Sequence, residues 1–130
     1  MVMKRKSKVG KLLTEVELEM MNILWKRGSG TVNDVLQALP PRRKLAYTSV
    51  STMLRILEQK GALSSKKEGR GHTYFPELAK QEYETKSVQH LVTNVFGGAP
   101  SQLVQRLLEA ESITEEELQS IRDLLKERRP

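Results

Sequence analysis

Apolar side chains recur along the chain in helix-spaced blocks, and glycine or proline separates one block from the next. Thr14 opens the first block. Glu17 stands three positions on, the arrangement of a capping box, and Leu13 and Leu18 are spaced as a hydrophobic staple. Val16, Met20, Ile23 and Leu24 follow at helical intervals with Trp25 near the end, and Gly28-Ser29-Gly30 marks the stop. Thr31 starts a second, shorter helix with Asp34 at its third position and Val32, Val35, Leu36 and Leu39 as its stripe. Pro40-Pro41 closes it, because proline cannot continue the hydrogen-bond ladder. Only about three turn residues separate these helices, as a helix-turn-helix arrangement requires. A third helix is predicted from Tyr47 to Lys60, ending at Gly61, with Val50, Met53, Leu54 and Leu57 at i, i+3, i+4 and i+7 on one buried face.

Two strand-like runs come next, Ala62–Lys67 and His72–Phe75, around the glycine-rich turn Glu68-Gly69-Arg70-Gly71. Three helices followed by a hairpin is the element order of a winged helix. Beyond Pro76 a helix is predicted over residues 77–96, with Leu78 and Tyr83 early and Val88, Leu91, Val92, Val95 and Phe96 in a denser late stripe. Gly97-Gly98-Ala99-Pro100 interrupts it, and a short helix carrying Leu103, Val104, Leu107 and Leu108 follows. Thr114 then caps a last helix with Glu117 at N3 and Ile113 and Leu118 placed as a staple; its stripe is Leu118, Ile121, Leu124 and Leu125. Three amphipathic helices of this size bury their stripes poorly within one monomer. A homodimer is therefore expected, with Val88, Leu91, Val92, Val95, Leu103, Leu107, Leu118, Ile121 and Leu125 as interface candidates. The expected fold class is mainly α, in three parts. Residues 1–13 form a basic N-terminal tail, 14–76 a winged-helix domain of three helices plus a β-hairpin wing, and 77–130 a C-terminal helical dimerisation region.

Charge gives this plan a direction. The chain carries a net charge of +6, spread unevenly: +5 from residues 1–13, −2 from 14–41, +6 from 42–76 and −3 from 77–130. Positive charge gathered in the first part of the chain points to a polyanionic partner. The absence of cysteine excludes disulfides, thiolate metal sites and a cysteine nucleophile, and no metal or cofactor is expected. No enzyme is expected either. His72 and His90 fall on different elements without a neighbouring nucleophile, and no Gly-x-Ser-x-Gly elbow occurs. Neither Gly69-Arg70-Gly71 nor Gly97-Gly98 makes a phosphate-binding loop, and Glu115-Glu116-Glu117 reads as first-turn helix charge. No run approaches the roughly 18 apolar residues of a membrane helix. Lys4, Arg5, Lys6, Lys8 and Lys11 imitate the start of a signal peptide, but Leu12-Leu13 lead straight into Thr14-Glu15-Val16-Glu17, so a cytoplasmic location without membrane insertion is expected.

The third helix carries the candidate chemistry. Opposite its apolar stripe lie Thr48, Thr52, Arg55 and Gln59, with Ser51 beside them and Glu58 off to one side. A merely solvated face usually mixes Glu and Lys at i,i+4 spacing, whereas this one is short, hydroxyl-rich and holds one arginine. Small polar side chains let a helix sit deep in a major groove, and arginine can bond guanine with both arms of its fork. Thr48, Ser49, Ser51, Thr52 and Arg55 are the candidates for base contact with double-stranded DNA. Arg42, Arg43 and Lys44 before the helix, with Lys66, Lys67 and Arg70 on the hairpin, are the candidates for its phosphate backbone. The alternative reading is a ligand-sensing winged-helix regulator whose effector pocket lies between the domains, lined by Tyr83 or Phe96.

The segments resemble one known group across residues 12–128, the penicillinase-repressor (BlaI/MecI/CopY-type) family of winged-helix transcriptional regulators. The resemblance is carried by Leu13-Thr14-Glu15 and Met21-Asn22-Ile23-Leu24-Trp25 in the first helix and by Leu45-Ala46-Tyr47-Thr48-Ser49-Val50-Ser51-Thr52-Met53-Leu54 into the third. Lys60-Gly61, Gly69-Arg70, Tyr74-Phe75-Pro76 and Leu103-Val104 complete it. It implies a homodimer joined by C-terminal helices, binding an inverted-repeat operator and blocking transcription. It also implies a membrane-bound sensor protease as a partner. Two departures stand out. Copper-type members carry a C-terminal cysteine cluster that this chain lacks. Resistance-type members are cut at an Asn-Phe bond, and the aligned pair here, the expected protease-sensitive region, is Arg106-Leu107.

Overall fold

The computed structural model describes residues 12–128. Of the expected basic tail, residues 1–11 lie outside the described residues. Helix α1 (Glu15–Arg27) begins at Thr14 with the full capping box: the Thr14 amide donates to Glu17 Oε1 at 2.9 Å, and the Glu17 amide donates to Thr14 Oγ1 at 3.2 Å. Helix α2 (Val32–Ala38) repeats the device with Thr31 and Asp34, whose two bonds measure 2.9 and 3.1 Å. Hydrogen bonds from Thr31, backbone first, and the charge of Arg27 hold the Asp34 carboxyl below its usual value against some desolvation. Helix α3 (Tyr47–Gln59) differs, because Ala46 at its N-cap offers no side chain to its first amides.

A hairpin of β2 (Leu63–Glu68) and β3 (Gly71–Pro76) follows, in the register Ser65 opposite Tyr74 and Lys67 opposite His72. Only Gly69 and Arg70 close it. Gly69 has φ +60° whereas no non-glycine residue among those described has positive φ, the pattern of a type II′ turn with glycine at its first central position. Sequence periodicity does not show the two-residue strand β1 (Gly30–Thr31), which pairs antiparallel with β3 through Gly30–Tyr74 and Thr31–Thr73 and gives a sheet ordered β1-β3-β2. Its glycine fits closely against neighbouring side chains. A Cβ at Gly30 would stand 3.1 Å from Leu24 Cδ2 and 3.2 Å from Arg27 Nε.

The core lies between the three helices and the sheet. Met20, Met21 and Leu24 of α1, Val35 of α2 and Val50, Leu54 and Leu57 of α3 are fully buried. Each of the larger apolar side chains contributes roughly 1.5–3 kcal/mol by leaving water, several times what a surface hydrogen bond supplies. The stripe on α3 therefore dictates which of its faces points outward.

Helix α4 (Lys80–Asn94) starts later than the predicted residue 77. The amides of Glu77 and Leu78 both donate to the Ala62 carbonyl, keeping the chain against the sheet for one more turn. Leu78 is fully buried in the core, and its carbonyl accepts a bond from Trp25 Nε1 at 2.8 Å. Tyr83 is buried too. Its ring lies 6.1 Å from that of Trp25, and its hydroxyl accepts from the Leu13 amide at 3.0 Å. The first compact unit accordingly runs to Thr85, where the sequence alone places a boundary after residue 76. The second unit, from Lys86, holds the rest of α4, α5 (Pro100–Glu109) and α6 (Glu115–Glu127). Thr114 caps α6 by accepting from the Glu117 amide at 3.1 Å. No helix among the described residues is long and apolar enough to cross a membrane.

Candidate nucleic-acid interface

With Val50, Leu54 and Leu57 turned inward, α3 exposes Thr48, Ser49, Thr52 and Arg55, and Ser51 is half-buried beside them. Thr48, Ser51, Thr52 and Arg55 thus share one helix face, and Ser49 lies at its edge. The wing stands next to it. Strand alternation puts Ser65, Lys67, His72 and Tyr74 on the wing face toward α3, with the His72 and Tyr74 rings 6.5 Å apart. Between helix and wing lies a cleft of about 400 Å³ lined by Tyr47, Ser51 and Arg55 from α3 and by Ser65, Arg70, His72 and Tyr74 from the hairpin. A second hollow, sharing Tyr47, Arg70 and His72 with it, extends to Thr31 and Asn33 at the start of α2. Arg55 from the helix and Arg70 from the turn therefore face one concavity.

Periodicity does not flag Tyr47 or Asn33 as lining residues, because only the approach of α2 and the wing gives them that position. Glu58 also lines the cleft instead of lying apart from it. Its carboxylate accepts a bond from Ser65 Oγ at 2.9 Å and so ties α3 to β2. Burial first, and then the negative charge of Glu58, push the Tyr74 phenol above its usual value, so Tyr74 is neutral throughout the physiological range.

The backbone candidates separate into two groups. Lys44, Lys66, Lys67 and Arg70 are exposed. Arg42 and Arg43 instead converge on Glu19 of α1. Arg43 forks across the carboxylate, Nε to Oε1 and Nη2 to Oε2, both at 3.0 Å, and Arg42 Nη2 adds a bond to Oε2 at 2.9 Å. Glu15 stands 3.7 Å from Arg43 Nη2. Hydrogen bonds from Arg43 hold the Glu19 carboxyl below its usual value, outweighing desolvation. A comparable pair holds the other end of α3. Lys60 Nζ reaches the buried Glu17 carboxylate at 2.7 Å. Burial raises the Glu17 pKa, but bonds from Lys60 and Thr14 together with the Lys60 charge overcome it and leave a net lowering. Among the described residues no cluster of three His, Asp or Glu side chains is placed to hold a metal ion.

A head of this shape invites comparison with known proteins. The family model described as penicillinase repressor matches residues 13–127. The chain belongs to the penicillinase repressor family. Among its relatives, the penicillinase repressor of Bacillus licheniformis is 29% identical over 115 residues, covering 88% of this chain and 90% of that protein. The methicillin resistance regulatory protein MecI of Mammaliicoccus sciuri is 22% identical over 113 residues, covering 87% of this chain and 92% of the relative. Among solved structures, the DNA binding domain of the repressor BlaI matches at 35% identity with a TM-score of 0.49, covering 55% of this chain and 87% of that one.

In this penicillinase repressor family member the interface candidates fall on the second unit. Val88, Leu91, Val95, Leu107 and Leu125 are exposed, Leu103, Leu118 and Ile121 are half-buried, and Val92 is buried. Val104, Leu108 and Leu124 are exposed alongside them. Arg106 and Leu107 lie exposed within α5, with Arg106 paired to Glu109, so the backbone of the expected protease-sensitive pair is helical. Tyr83 is a buried core residue whose ring is tilted against that of Trp25.

Proposed function

We propose that this chain is a dimeric transcriptional repressor that binds an inverted-repeat operator through α3 and the wing. One observation carries the reading: Ser51 and Arg55, on the hydroxyl-and-arginine face of α3, line a cleft whose other wall is the hairpin that carries Arg70. An α-helix with small polar side chains fits a major groove, and a basic hairpin beside it meets the flanking phosphates. Thr48, Ser49, Ser51, Thr52 and Arg55 read bases and nearby phosphates. Lys44, Lys66, Lys67 and Arg70 supply attraction that does not depend on sequence. Family membership supports the assignment, since the relatives are named as repressors of penicillinase and regulators of methicillin resistance. The exposed leucines and valines of the second unit support a two-fold dimer, which sets two α3 helices into successive major grooves about 34 Å apart.

The test is an electrophoretic shift of the intergenic DNA upstream of the gene, set against a shuffled duplex of equal length. The expected result is retention on the intergenic duplex at salt concentrations that release the shuffled one. Equal affinity for both overturns the operator reading.

A further inference from the structure

Arg42 and Arg43 belong to the basic segment that the charge pattern assigns to the DNA phosphates, yet Arg43 forks across Glu19 and the more exposed Arg42 gives it one bond. Three features bear on what this does. First, the post is rigid. Glu19 sits on α1 beside Met20 and Met21, both fully buried, and its side chain is only 16% exposed. Second, the strap is short. The Arg43 side chain is 24% exposed, the Arg43 amide donates to the Pro40 carbonyl at 2.8 Å, and α3 begins four residues later at Tyr47. Third, no side chain caps the N-terminal end of α3, because Ala46 cannot, whereas Thr14, Thr31 and Thr114 cap α1, α2 and α6. Thr48 and Ser49 stand in that uncapped first turn.

We infer that Arg43, forked across Glu19 and assisted by Arg42, is a positioning residue that fixes where the first turn of α3 stands. It does not act as a phosphate contact. The inference rests on the reading that α3 enters DNA. A guanidinium fork suits the task, since two parallel bonds fix orientation as well as distance, which a single ammonium does not. The Glu15 carboxylate adds further negative charge near the same guanidinium. The loop's own attraction for phosphate then falls to Lys44 and the outer donors of Arg42, both exposed.

The two roles predict opposite signs. Binding of the full chain to the intergenic duplex and to a shuffled duplex is measured over a salt series for the wild type, Glu19→Gln, Arg43→Gln and Arg43→Lys. Positioning predicts that all three variants lose about tenfold on the intergenic duplex, the scale of one charged hydrogen bond. They lose little on the shuffled duplex and keep the wild-type salt slope. Arg43→Lys keeps the charge and still fails to restore affinity. Phosphate contact predicts a slope shallower by about one for Arg43→Gln, near wild-type binding for Arg43→Lys, and tighter binding for Glu19→Gln, which releases a cation. That pattern, or three unchanged affinities, overturns the inference. A second readout needs no DNA. In the free protein the backbone amide resonances of Tyr47–Val50 should move in Arg43→Lys, and resonances that stay in place overturn the inference. A wild type that binds neither duplex sinks the operator reading itself, and the amide shifts then decide on the clamp alone.

Discussion

Arg55 is the outward cation of α3, and no hydrogen bond or ion pair holds it among the described residues. Its replacement by alanine should cost about 1–3 kcal/mol on the operator and relax one base preference, read by fluorescence anisotropy on single-base operator variants. An equal loss on every duplex would make it a phosphate contact. Glu17 makes a different statement, about stability. Its carboxylate caps α1 and holds Lys60, and its folded pKa lies below the unfolded value of about 4.3. The ionised form is therefore favoured by folding. Its contribution is complete above the unfolded value and is lost as pH falls through the folded one. Glu17→Gln should be about 1 kcal/mol less stable than the wild type at pH 7, with the gap closing below about pH 4. Denaturant melts at pH 7 and pH 3 check this, and a gap of equal size at both would remove ionisation from the cause.

Among the elements, the wing is the one whose proposed role is electrostatic. Neutralising Lys66, Lys67 or Arg70 to Gln should lower affinity for operator and shuffled DNA alike and reduce the salt slope by about one for each phosphate no longer neutralised. An unchanged slope removes that side chain from the interface. The helices and the hairpin were legible in the chain because each carries its own signal: Thr14-Glu17, Thr31-Asp34, the Pro40-Pro41 stop, the α3 stripe and the Gly69 turn. What was not legible arises only when distant pieces meet. A strand of two residues has no pattern of its own and exists because β3 runs alongside. Leu78 and Tyr83 read as apolar, but periodicity does not say against which partner, and they pack into the first unit. Glu19 and Arg43 are 24 residues apart, so the local charge pattern counted the arginine toward DNA and missed the acid that holds it. The face of α3 was legible, since burying Val50 and Leu54 leaves Thr48, Thr52 and Arg55 no other side to occupy.

For the whole molecule, the apolar side chains left uncovered on the second unit are the main feature. Leu125 is 66% exposed in the single chain, so an aspartate there meets water and should leave the protomer folded. Leu125→Asp is expected to shift the chain from dimer to monomer in sedimentation equilibrium and to weaken operator binding while α3 stays intact. A variant that remains dimeric moves the interface away from α6. The closure of the hairpin by Gly69 and Arg70 alone has a consequence at this scale too. A strand advances about 3.3 Å per residue and a duplex about 3.4 Å per base pair, so protein and nucleic acid are graduated in nearly the same unit. A loop of two residues has no slack to absorb an insertion. On the proposed reading, two residues added to each arm would keep the side chains on the same faces and carry the arginine tip about two base-pair steps further, making hairpin length a ruler for the reach of the wing along the duplex.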